Sequence, residues 1–487
     1  MKKRFKKFIK NHWLFVLFLV SYSTALFYKV IAHPTPFYDW DESLYIQTGL
    51  EMFKRRFFLF PLWQGKIWFD KPPLVPFLYA LVTKVFFFIA PEISTRLFTI
   101  VIALIILTFV YAIYNRIIKN SFLTTLITLL TAVVPIFLQR AQVVNLDSFL
   151  LLGWLGYLLF MDNFWWGLFF LFVAVFSKSL IGFYPVSIFT GYYFYLYFKK
   201  EIGFKKLKSV LVKIFVQSSI LLSWFILMYL KFGQIFWKMQ IVESHFRRVT
   251  ASIEFHFGEH LFYINLVRDQ LGIFFYLSLL GVLIISVQYL QGKLSAKNIF
   301  YGLYLLPWFI FLNATKTKIF WYLFATIPQF AFLTFYPLVF LKNKKVLFTL
   351  LTAMLMIIVL YQTILKQKLF TTFYSQYDSY YDLAITTKKN CDSLTLLIDK
   401  KTRGDFATLD RMGLLITTTK WWGNHPAIVY YSGKPTDFIF DKQEFINKMP
   451  NLTKDSCLAA SDEDLNFSRQ SLKLLGKFGQ IRLLKKI

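Results

Sequence analysis

Acidic side chains are concentrated in one short stretch, YDWDESLYIQ, which covers residues 38–47 and follows the first apolar run. Asp39, Asp41 and Glu42 fill three of four neighbouring positions. Such a cluster is a candidate for general acid-base chemistry. Its local pattern is also typical of a helix N-terminus, where Asp and Glu cap the first turn and interact favourably with the helix dipole.

A second chemical group, WQGKIWFDKPPLVP, lies at residues 63–76 of the same loop. Asp70 and Lys71 form an acid-base pair, and Pro72 and Pro73 restrict the backbone directly after it. A fixed pair of opposite charges in the same loop as the acidic cluster favours a functional interpretation of both.

The elements that hold these groups are apolar and long. The 487-residue chain is 57% hydrophobic with a mean hydropathy of +0.52, and 17% of its residues are charged, whereas a soluble protein has about 25%. Apolar runs of about 17–25 residues recur, which is long enough to cross a bilayer. The sequence therefore predicts an all-α polytopic membrane protein. Its first helix, at residues 13–30, is expected to be retained and not cleaved as a signal peptide.

Two polar interruptions, residues 32–71 and 231–269, divide the apolar segments. After about residue 365 the composition becomes that of a soluble protein, with strand-like patches such as LTLLI and AIVYY. We therefore expect a membrane domain over residues 1–364 and a small α/β domain over residues 365–487. The apolar segments lie near residues 13–31, 72–90, 96–115, 121–138, 147–161, 165–179, 180–198, 209–230, 270–290, 298–313, 319–340 and 346–364.

Basic side chains give a net charge of +29, but their distribution does not indicate nucleic-acid binding. They cluster in short loops between apolar runs, which is typical of the cytosolic side of a membrane protein. The N-terminus is then cytosolic in the cytoplasmic membrane, and both interruptions and the C-terminal domain lie outside. The clusters are KKRFKKFIK at the start, NRIIK at 115–119, KKEIGFKKLK at 199–208, QGKLSAK at 291–297 and KNKK at 342–345.

The number of crossings depends on the segment at residues 72–90. Three apolar runs separate residues 32–71 from residues 139–146, and both stretches cannot lie outside if all three runs cross. Because the 72–90 run opens with PPLVP and is short, we expect a perimembrane or re-entrant helix there. The chain would then cross the membrane about eleven times, or about thirteen times if some of the apolar segments each contain two membrane-spanning helices.

Two further sequence features narrow the class of protein. Cys391 and Cys457 have no metal-binding spacing, and a disulfide outside the cytosol and two free thiols both remain open. The sequence contains neither G-x-x-x-x-G-K-[ST] nor G-x-G-x-x-G, which disfavours a nucleotide-driven pump.

The first long loop resembles a known family. WDESLYIQTGLEMFKRRFFLFPLWQGKIWFDKPPL is similar to the first outer loop of GT-C membrane glycosyltransferases, in particular the protein O-mannosyltransferase and lipid A aminoarabinose transferase group. Asp41, Glu42 and Tyr45 match that group's Asp-Glu pair with Tyr, and residues 70–73 match its acid-Lys-Pro-Pro motif. Further landmarks follow in the family's order over residues 10–340: STRLF with Arg96, QRAQVVNLDSFLL with Arg140 and Asp147, FSKSLIGF with Lys178, ESHFRR with His245 and Arg247, and ATKTKIFWYLFATIPQFAF with Lys316, Lys318 and Tyr322.

The resemblance implies a GT-C enzyme that moves a hexosyl or pentosyl group, with inversion, from a dolichyl- or undecaprenyl-phosphate carrier to an acceptor on the outer face. The acceptor would be lipid A, a cell-envelope glycan or a protein. The donor phosphate would be bound by side chains that stabilise its charge, although each could instead only snorkel at the membrane edge. These side chains are Lys71, Arg96, Arg140, Lys178, Arg247, Lys316, Lys318 and Tyr322.

The same resemblance assigns the acidic residues. Asp41 would act as the base or would orient the acceptor, and a hydroxyl acceptor needs a base whereas a phosphate acceptor does not. Glu42 would support Asp41. Asp147 would be a second acid, with helix capping as the alternative, and Asp39 falls outside the matched pair and is expected only to cap.

No cofactor is implied as a requirement, but the resemblance suggests a structural divalent metal such as zinc at Asp70 and His245. Asp70 replaces the family's Glu and shortens the reach by one methylene, and two ligands make an incomplete site. His256 and His260, with Glu259, could form another ligand cluster, although a polar interfacial helix is favoured.

Two other classes of function compete with the glycosyltransferase. A lipid-linked substrate transporter or flippase would place charges within its helices, whereas here the acids crowd one loop. A noncatalytic assembly protein would use residues 365–487 to bind a polymer. The partners expected for the enzyme are the polyprenyl-phosphate-linked donor, the acceptor and the lipid bilayer, with no nucleic acid.

Overall fold

The computed structural model of the chain describes residues 2–341, 345–361, 379–465 and 472–486. Most of these residues are helical, as the apolar runs predict. The expected domain boundary between residues 364 and 365 lies outside the described residues, as do residues 342–344 of the last basic cluster.

The helices, in chain order, are α1 (Lys2–Ala32), α2 (Asp41–Lys54), α3 (Leu74–Val85), α4 (Pro91–Ile118), α5 (Ser121–Val133), α6 (Pro135–Arg140), α7 (Asp147–Phe160), α8 (Phe164–Lys178), α9 (Tyr184–Phe198), α10 (Phe204–Phe236), α11 (Arg247–Thr250), α12 (Phe262–Leu271), α13 (Ile273–Leu290), α14 (Ala296–Leu303), α15 (Leu306–Ala314), α16 (Ile327–Phe335), α17 (Lys345–Tyr361), α18 (Ser379–Asn390), α19 (Lys400–Arg411), α20 (Pro426–Ser432) and α21 (Lys442–Lys448). The strands are β1 (Leu62–Trp63), β2 (Lys66–Ile67), β3 (Leu394–Leu397), β4 (Thr436–Ile439), β5 (Cys457–Ser461), β6 (Leu472–Phe478) and β7 (Ile481–Lys486).

Several helical stretches have the length and composition of membrane spans. Six of them, within the described part of the chain, are Asn11–Ala32, Pro91–Ile118, Phe164–Phe198, Phe204–Thr250, Ile273–Leu290 and Phe320–Phe340. Shorter apolar helices are Leu74–Val85, Ser121–Val133, Asp147–Phe160 and Val346–Val359. The prediction of a polytopic helical membrane protein is confirmed.

The chain forms two compact units. The first unit comprises Met1–His33, Ile93–Trp237 and Gly258–Phe373, and the second comprises Pro34–Glu92, Lys238–Phe257 and Tyr374–Ile487. Parts of both polar interruptions therefore belong to the same unit as the C-terminal residues.

In the first unit, α7 and α8 form an antiparallel pair that packs closely. A Cβ on Gly156 would overlap the ring of Phe170, and a Cβ on Gly153 would lie 2.6 Å from the backbone nitrogen of Ala174. The Asn163 side chain starts α8 by accepting hydrogen bonds from the first backbone N–H groups of that helix. Because the pair is antiparallel, the first residue of α7 and the last residue of α8 lie at the same end.

In the second unit, the strands β1 and β2 form a hairpin before α3. Its turn residues, Gln64 and Gly65, have φ angles of 44° and 83°, as two-residue hairpin turns require. Glu51 of α2 accepts hydrogen bonds from their backbone N–H groups at 2.8 and 2.9 Å. The carboxylate thus ties the hairpin to α2.

The helix α3 lies in the segment at residues 72–90, on which the number of membrane crossings depends. Its 12 residues extend about 18 Å, less than the ~30 Å hydrocarbon core of a bilayer. It packs against α2 so closely that a Cβ on Gly49 would overlap the carbonyl group of Pro76. This geometry supports a perimembrane or re-entrant helix within the 72–90 segment.

The C-terminal part contains a five-stranded sheet in the order β4-β3-β5-β7-β6. β3 is parallel to β4 and β5, and β7 is antiparallel to β5 and β6. LTLLI forms β3, but AIVYY lies in α20, so its assignment as strand-like was wrong. Pro426 at the helix start and Gly433 at its left-handed C-terminus favour a helix there. Cys391 and Cys457 form a disulfide.

Candidate functional site

The first acidic group lies at the start of α2. Trp40 precedes the helix without a side-chain cap. Asp41 is half-buried and accepts a hydrogen bond from the Tyr45 hydroxyl at 3.3 Å. Glu42 is only 1% exposed and accepts a hydrogen bond from the backbone N–H of Tyr38 at 2.9 Å. Glu42 therefore orders the chain before the helix, while Tyr45 orients the carboxylate of Asp41.

Trp40, and not Asp39, is the N-cap residue of α2. One carboxylate oxygen of Asp39 lies 2.6 Å from Nδ1 of His425, and the other accepts a hydrogen bond from the backbone N–H of Ala427 at 2.9 Å. The His425 ring stacks on Tyr380 at 3.6 Å between centroids. Asp39 therefore caps α20, which lies almost 400 residues further along the chain and could not be paired with it by local pattern.

The second group is a buried ion pair between Asp70 and Lys71, with Nζ and Oδ2 2.7 Å apart. The Ser244 hydroxyl also donates a hydrogen bond to Asp70. Burial acts to raise the pKa of Asp70. The charges of Lys71 and Arg248, with hydrogen bonds from Lys71 and Ser244, outweigh it and lower the pKa to about 2. Asp70 is therefore ionised at any ordinary pH and holds the Lys71 amine in place.

Ser244 and His245 lie in an uncommon backbone element, the π-helix Trp237–Phe246. Such stretches are rare and are frequent at functional sites. Nδ1 of His245 lies 2.9 Å from the carbonyl oxygen of Gln240, five residues earlier. Ser244 and Arg248 were not among the predicted site residues, although both lie within the ESHFRR landmark.

The suggested metal site at Asp70 and His245 is not complete. Asp70 already accepts hydrogen bonds from Lys71 and Ser244. Within the described ranges, no group of three or more His, Cys, Asp or Glu side chains is arranged to hold a metal ion. Two donors, one of them neutralised by a lysine, do not fit a structural zinc site.

A third group lies in the first unit, where α7 and α8 bring Asp147 and Lys178 together. Asp147 Oδ1 is 2.5 Å from Lys178 Nζ, and its Oδ2 is 3.5 Å from a guanidinium nitrogen of Arg140. Lys178 lies over the ring of Tyr322 at 4.4 Å, and Arg140 lies over Trp321 at 4.9 Å. We call these five residues the helix-end cluster; its formal charge is +1.

The position of Asp147 argues against a simple capping role. It is the first residue of α7, and its side chain is 8% exposed and paired with two cations. Residue 146 precedes the helix, and no side-chain cap is present there. The structure therefore brings together four of the side chains that the sequence assigned to the site: Arg140, Asp147, Lys178 and Tyr322.

Asp147→Asn should destabilise the first unit because it leaves Arg140 and Lys178 buried without their shared counter-charge. Breaking a buried pair in this way costs about 3–5 kcal/mol. We expect a lower midpoint of thermal unfolding in detergent, measured by tryptophan fluorescence. Asp162→Asn, which changes an exposed carboxylate at the far end of α7, is the control. Equal midpoints for the two variants would contradict the role assigned to Asp147.

Three further basic candidates, Lys318, Lys316 and Arg96, belong to the first unit. Lys318 is buried and donates hydrogen bonds to the carbonyl groups of Leu312 and Asn313 at 3.2 and 2.9 Å, so it caps the end of α15. Burial, and then the neighbouring Lys316, lower the pKa of Lys318. Lys316 is exposed, and Arg96 is 1% exposed within α4.

Arg247 belongs to the second unit. Its guanidinium donates a hydrogen bond to the carbonyl oxygen of Leu415 at 3.4 Å. The described contacts therefore give Arg247 a structural partner. Its assignment as a phosphate-binding residue stays a prediction.

A helical membrane domain, a small mixed C-terminal sheet and charged groups at helix ends define a membrane protein with the GT-C fold. ArnT from Cupriavidus metallidurans, solved with undecaprenyl phosphate, superposes with a TM-score of 0.69 and 13% sequence identity. The match covers 97% of this chain and 98% of that chain.

A second structural neighbour is the archaeal oligosaccharyltransferase AglB from Archaeoglobus fulgidus, solved with an inhibitory peptide and a dolichol-phosphate. Its TM-score is 0.55 at 13% identity, and the match covers 93% of this chain and 70% of that chain. No protein-family model and no curated protein sequence matches the chain. The GT-C fold that the sequence motifs predict is confirmed by these structures.

Proposed function

We propose that this protein is an inverting glycosyltransferase. It moves a sugar from a polyprenyl-phosphate carrier to an acceptor on the outer face of the cytoplasmic membrane. The observation that carries the proposal is the likeness to ArnT, solved with undecaprenyl phosphate, over nearly the full length of both chains. The order of the charged landmarks along the sequence, which resembles that of the GT-C family, supports it.

The role of the cations follows from the negative charge that develops on the donor phosphate during sugar transfer. A sugar phosphodiester carries one negative charge, and the departing monophosphate develops a second as the glycosidic bond breaks. Cations held in fixed positions stabilise that charge most effectively where water is excluded. Lys71 is fixed by Asp70 and two prolines, and Lys178 and Arg140 are fixed by Asp147. We assign Lys71 of the second unit to the donor phosphate.

Asp41 is assigned to the acceptor. A half-buried carboxylate can take the proton of an attacking hydroxyl or orient that hydroxyl for attack. Attack from the face opposite the leaving phosphate inverts the anomeric carbon without a covalent intermediate on the protein. Glu42 supports this arrangement through its hydrogen bond to the preceding loop.

The orientation is proposed from charge and cysteine chemistry. The basic clusters support a cytosolic position for the short loops. The Cys391–Cys457 disulfide supports placing the C-terminal domain, residues 365–487, in an oxidising compartment outside the cytosol. The acceptor, whether lipid A, an envelope glycan or a protein, is then met on that side.

The test is release of the carrier. The full chain in lipid nanodiscs is incubated with undecaprenyl-phosphate-linked hexoses and pentoses, each with lipid A, envelope glycan or peptide as acceptor. We expect undecaprenyl phosphate and glycosylated acceptor to appear together in one combination, measured by mass spectrometry. Movement of the intact donor across liposomes without bond cleavage would instead favour a flippase.

A further inference from the structure

The C-terminal part of the second unit contacts the loop that carries Ser244 and Arg248. We propose that Glu254 is a positioning residue for Lys71, and that residues 414–421 hold Glu254 in the conformation this requires. The inference rests on the proposed function for its kinetic meaning, but its structural basis lies in contacts within the second unit.

Glu254 lies in an unusual turn. Its φ is 53° and that of Phe255 is 60°, and left-handed backbone at two successive non-glycine residues is strained. The backbone N–H of Glu254 donates a hydrogen bond to the carbonyl of Leu414 at 3.2 Å. Such strain persists where surrounding contacts hold it, and residues 414–421 supply those contacts.

Both carboxylate oxygens of Glu254 have a partner. The Thr419 hydroxyl donates to Oε1 at 2.5 Å, and Arg248 lies 3.2 Å from Oε2. The side chains of Arg248 and Glu254 are 14% and 15% exposed, so this ion pair is little screened by water. Thr419 therefore fixes the carboxylate, which in turn fixes the guanidinium.

Arg248 connects this pair to the donor-binding lysine. Ser244, four residues before Arg248 in the same loop, donates a hydrogen bond to Asp70, and Asp70 holds Lys71 at 2.7 Å. The charge of Arg248 is also among those that lower the pKa of Asp70. The charges of the four side chains alternate in sign along the series Glu254, Arg248, Asp70 and Lys71. Removing the charge of Glu254 would free Arg248 to compete with Lys71 for Asp70, because guanidinium forms the stronger carboxylate pair.

A second attachment lies on the other side of Ser244. Glu243 accepts hydrogen bonds from the backbone N–H of Thr417 at 3.0 Å and from its hydroxyl at 2.8 Å. Residues 414–421 therefore hold the loop at two carboxylates that flank Ser244 and Arg248, the two residues that act on Asp70.

The test compares Glu254→Gln and Thr419→Val with Lys420→Ala in the full chain. Lys420 is adjacent but exposed, and it pairs with Asp410. We expect Glu254→Gln to lower kcat for sugar transfer about tenfold, the scale of one charge-assisted hydrogen bond, and to raise the donor KM less, because the change acts through Lys71. Thr419→Val should act in the same direction with a smaller effect, and Lys420→Ala should match wild type.

Adding Arg248→Gln to Glu254→Gln restores the charge balance around Asp70 and should recover part of the lost kcat. A purely structural role for Glu254 predicts the opposite, since a second buried change would worsen the defect. A wild-type kcat in Glu254→Gln, or no recovery in the double variant, would overturn the inference.

Hydrogen exchange measured without substrate separates this inference from the proposed function. Faster exchange at residues 66–73 and 238–257 in both Glu254→Gln and Thr419→Val, but not in Lys420→Ala, is the expected result. Unchanged exchange refutes the positioning role whether or not the protein transfers sugar. A wild-type protein that transfers no sugar refutes the proposed function, and the exchange result then decides the inference by itself.

Discussion

Asp41→Asn is expected to lower kcat for sugar transfer by about 10²–10⁴-fold, the range that general acid-base catalysis contributes. The asparagine has nearly the same shape and can still accept a hydrogen bond from Tyr45, so α2 should begin at the same residue. It cannot take a proton. The loss should therefore fall on kcat, measured in single-turnover assays with saturating donor, and leave donor binding unchanged.

Tyr45→Phe is the matched control for this variant. It removes the hydroxyl that lies 3.3 Å from Asp41 and leaves the carboxylate, so we expect a loss of only a few-fold, the scale of one neutral hydrogen bond. A kcat for Asp41→Asn within tenfold of wild type would point to an acceptor that is already an anion, such as a phosphate. It would remove Asp41 from the role of base.

The sequence predicted the fold well because the patterns that indicate it lie in short contiguous segments and follow one another in a recognisable order. Apolar runs have the length of a bilayer, and the ordered landmarks are short contiguous strings. Asp70 and Lys71 are neighbours in the chain, so their ion pair could be anticipated from sequence alone. The hydrophobic effect also favours a position across the bilayer for an apolar helix of about twenty residues, since that length matches the hydrocarbon core.

The contacts of Asp39 and Glu254 could not be predicted in this way. Their partners, His425 and Thr419, lie more than 160 residues further along the chain. No local periodicity specifies such pairs, since a carboxylate at a helix start looks the same whether it caps its own helix or another. AIVYY was misassigned for a related reason: its β-branched and aromatic residues favour a strand, but Pro426 and Gly433 set the helix ends.

Lys71→Ala is expected to lower kcat by about 10²–10³-fold, the cost of removing one fixed group that stabilises developing charge. The donor phosphodiester binds with one negative charge and the product leaves with two. An interaction that strengthens along the reaction lowers the barrier more than it improves ground-state binding. Donor KM should therefore rise less than kcat falls, and Lys71→Arg should recover part of the activity.

The pH profile sharpens the test of Lys71. Because the pKa of Asp70 is lowered to about 2, the ion pair is intact at every assay pH and is lost only as the pH falls toward that value. Any acid limb above pH 4 must come from another group, and Lys71→Ala should retain it at reduced amplitude. Lys66→Ala, an exposed lysine of the same loop, is the control. Equal turnover in both lysine variants would disprove the assignment of Lys71 to the donor phosphate.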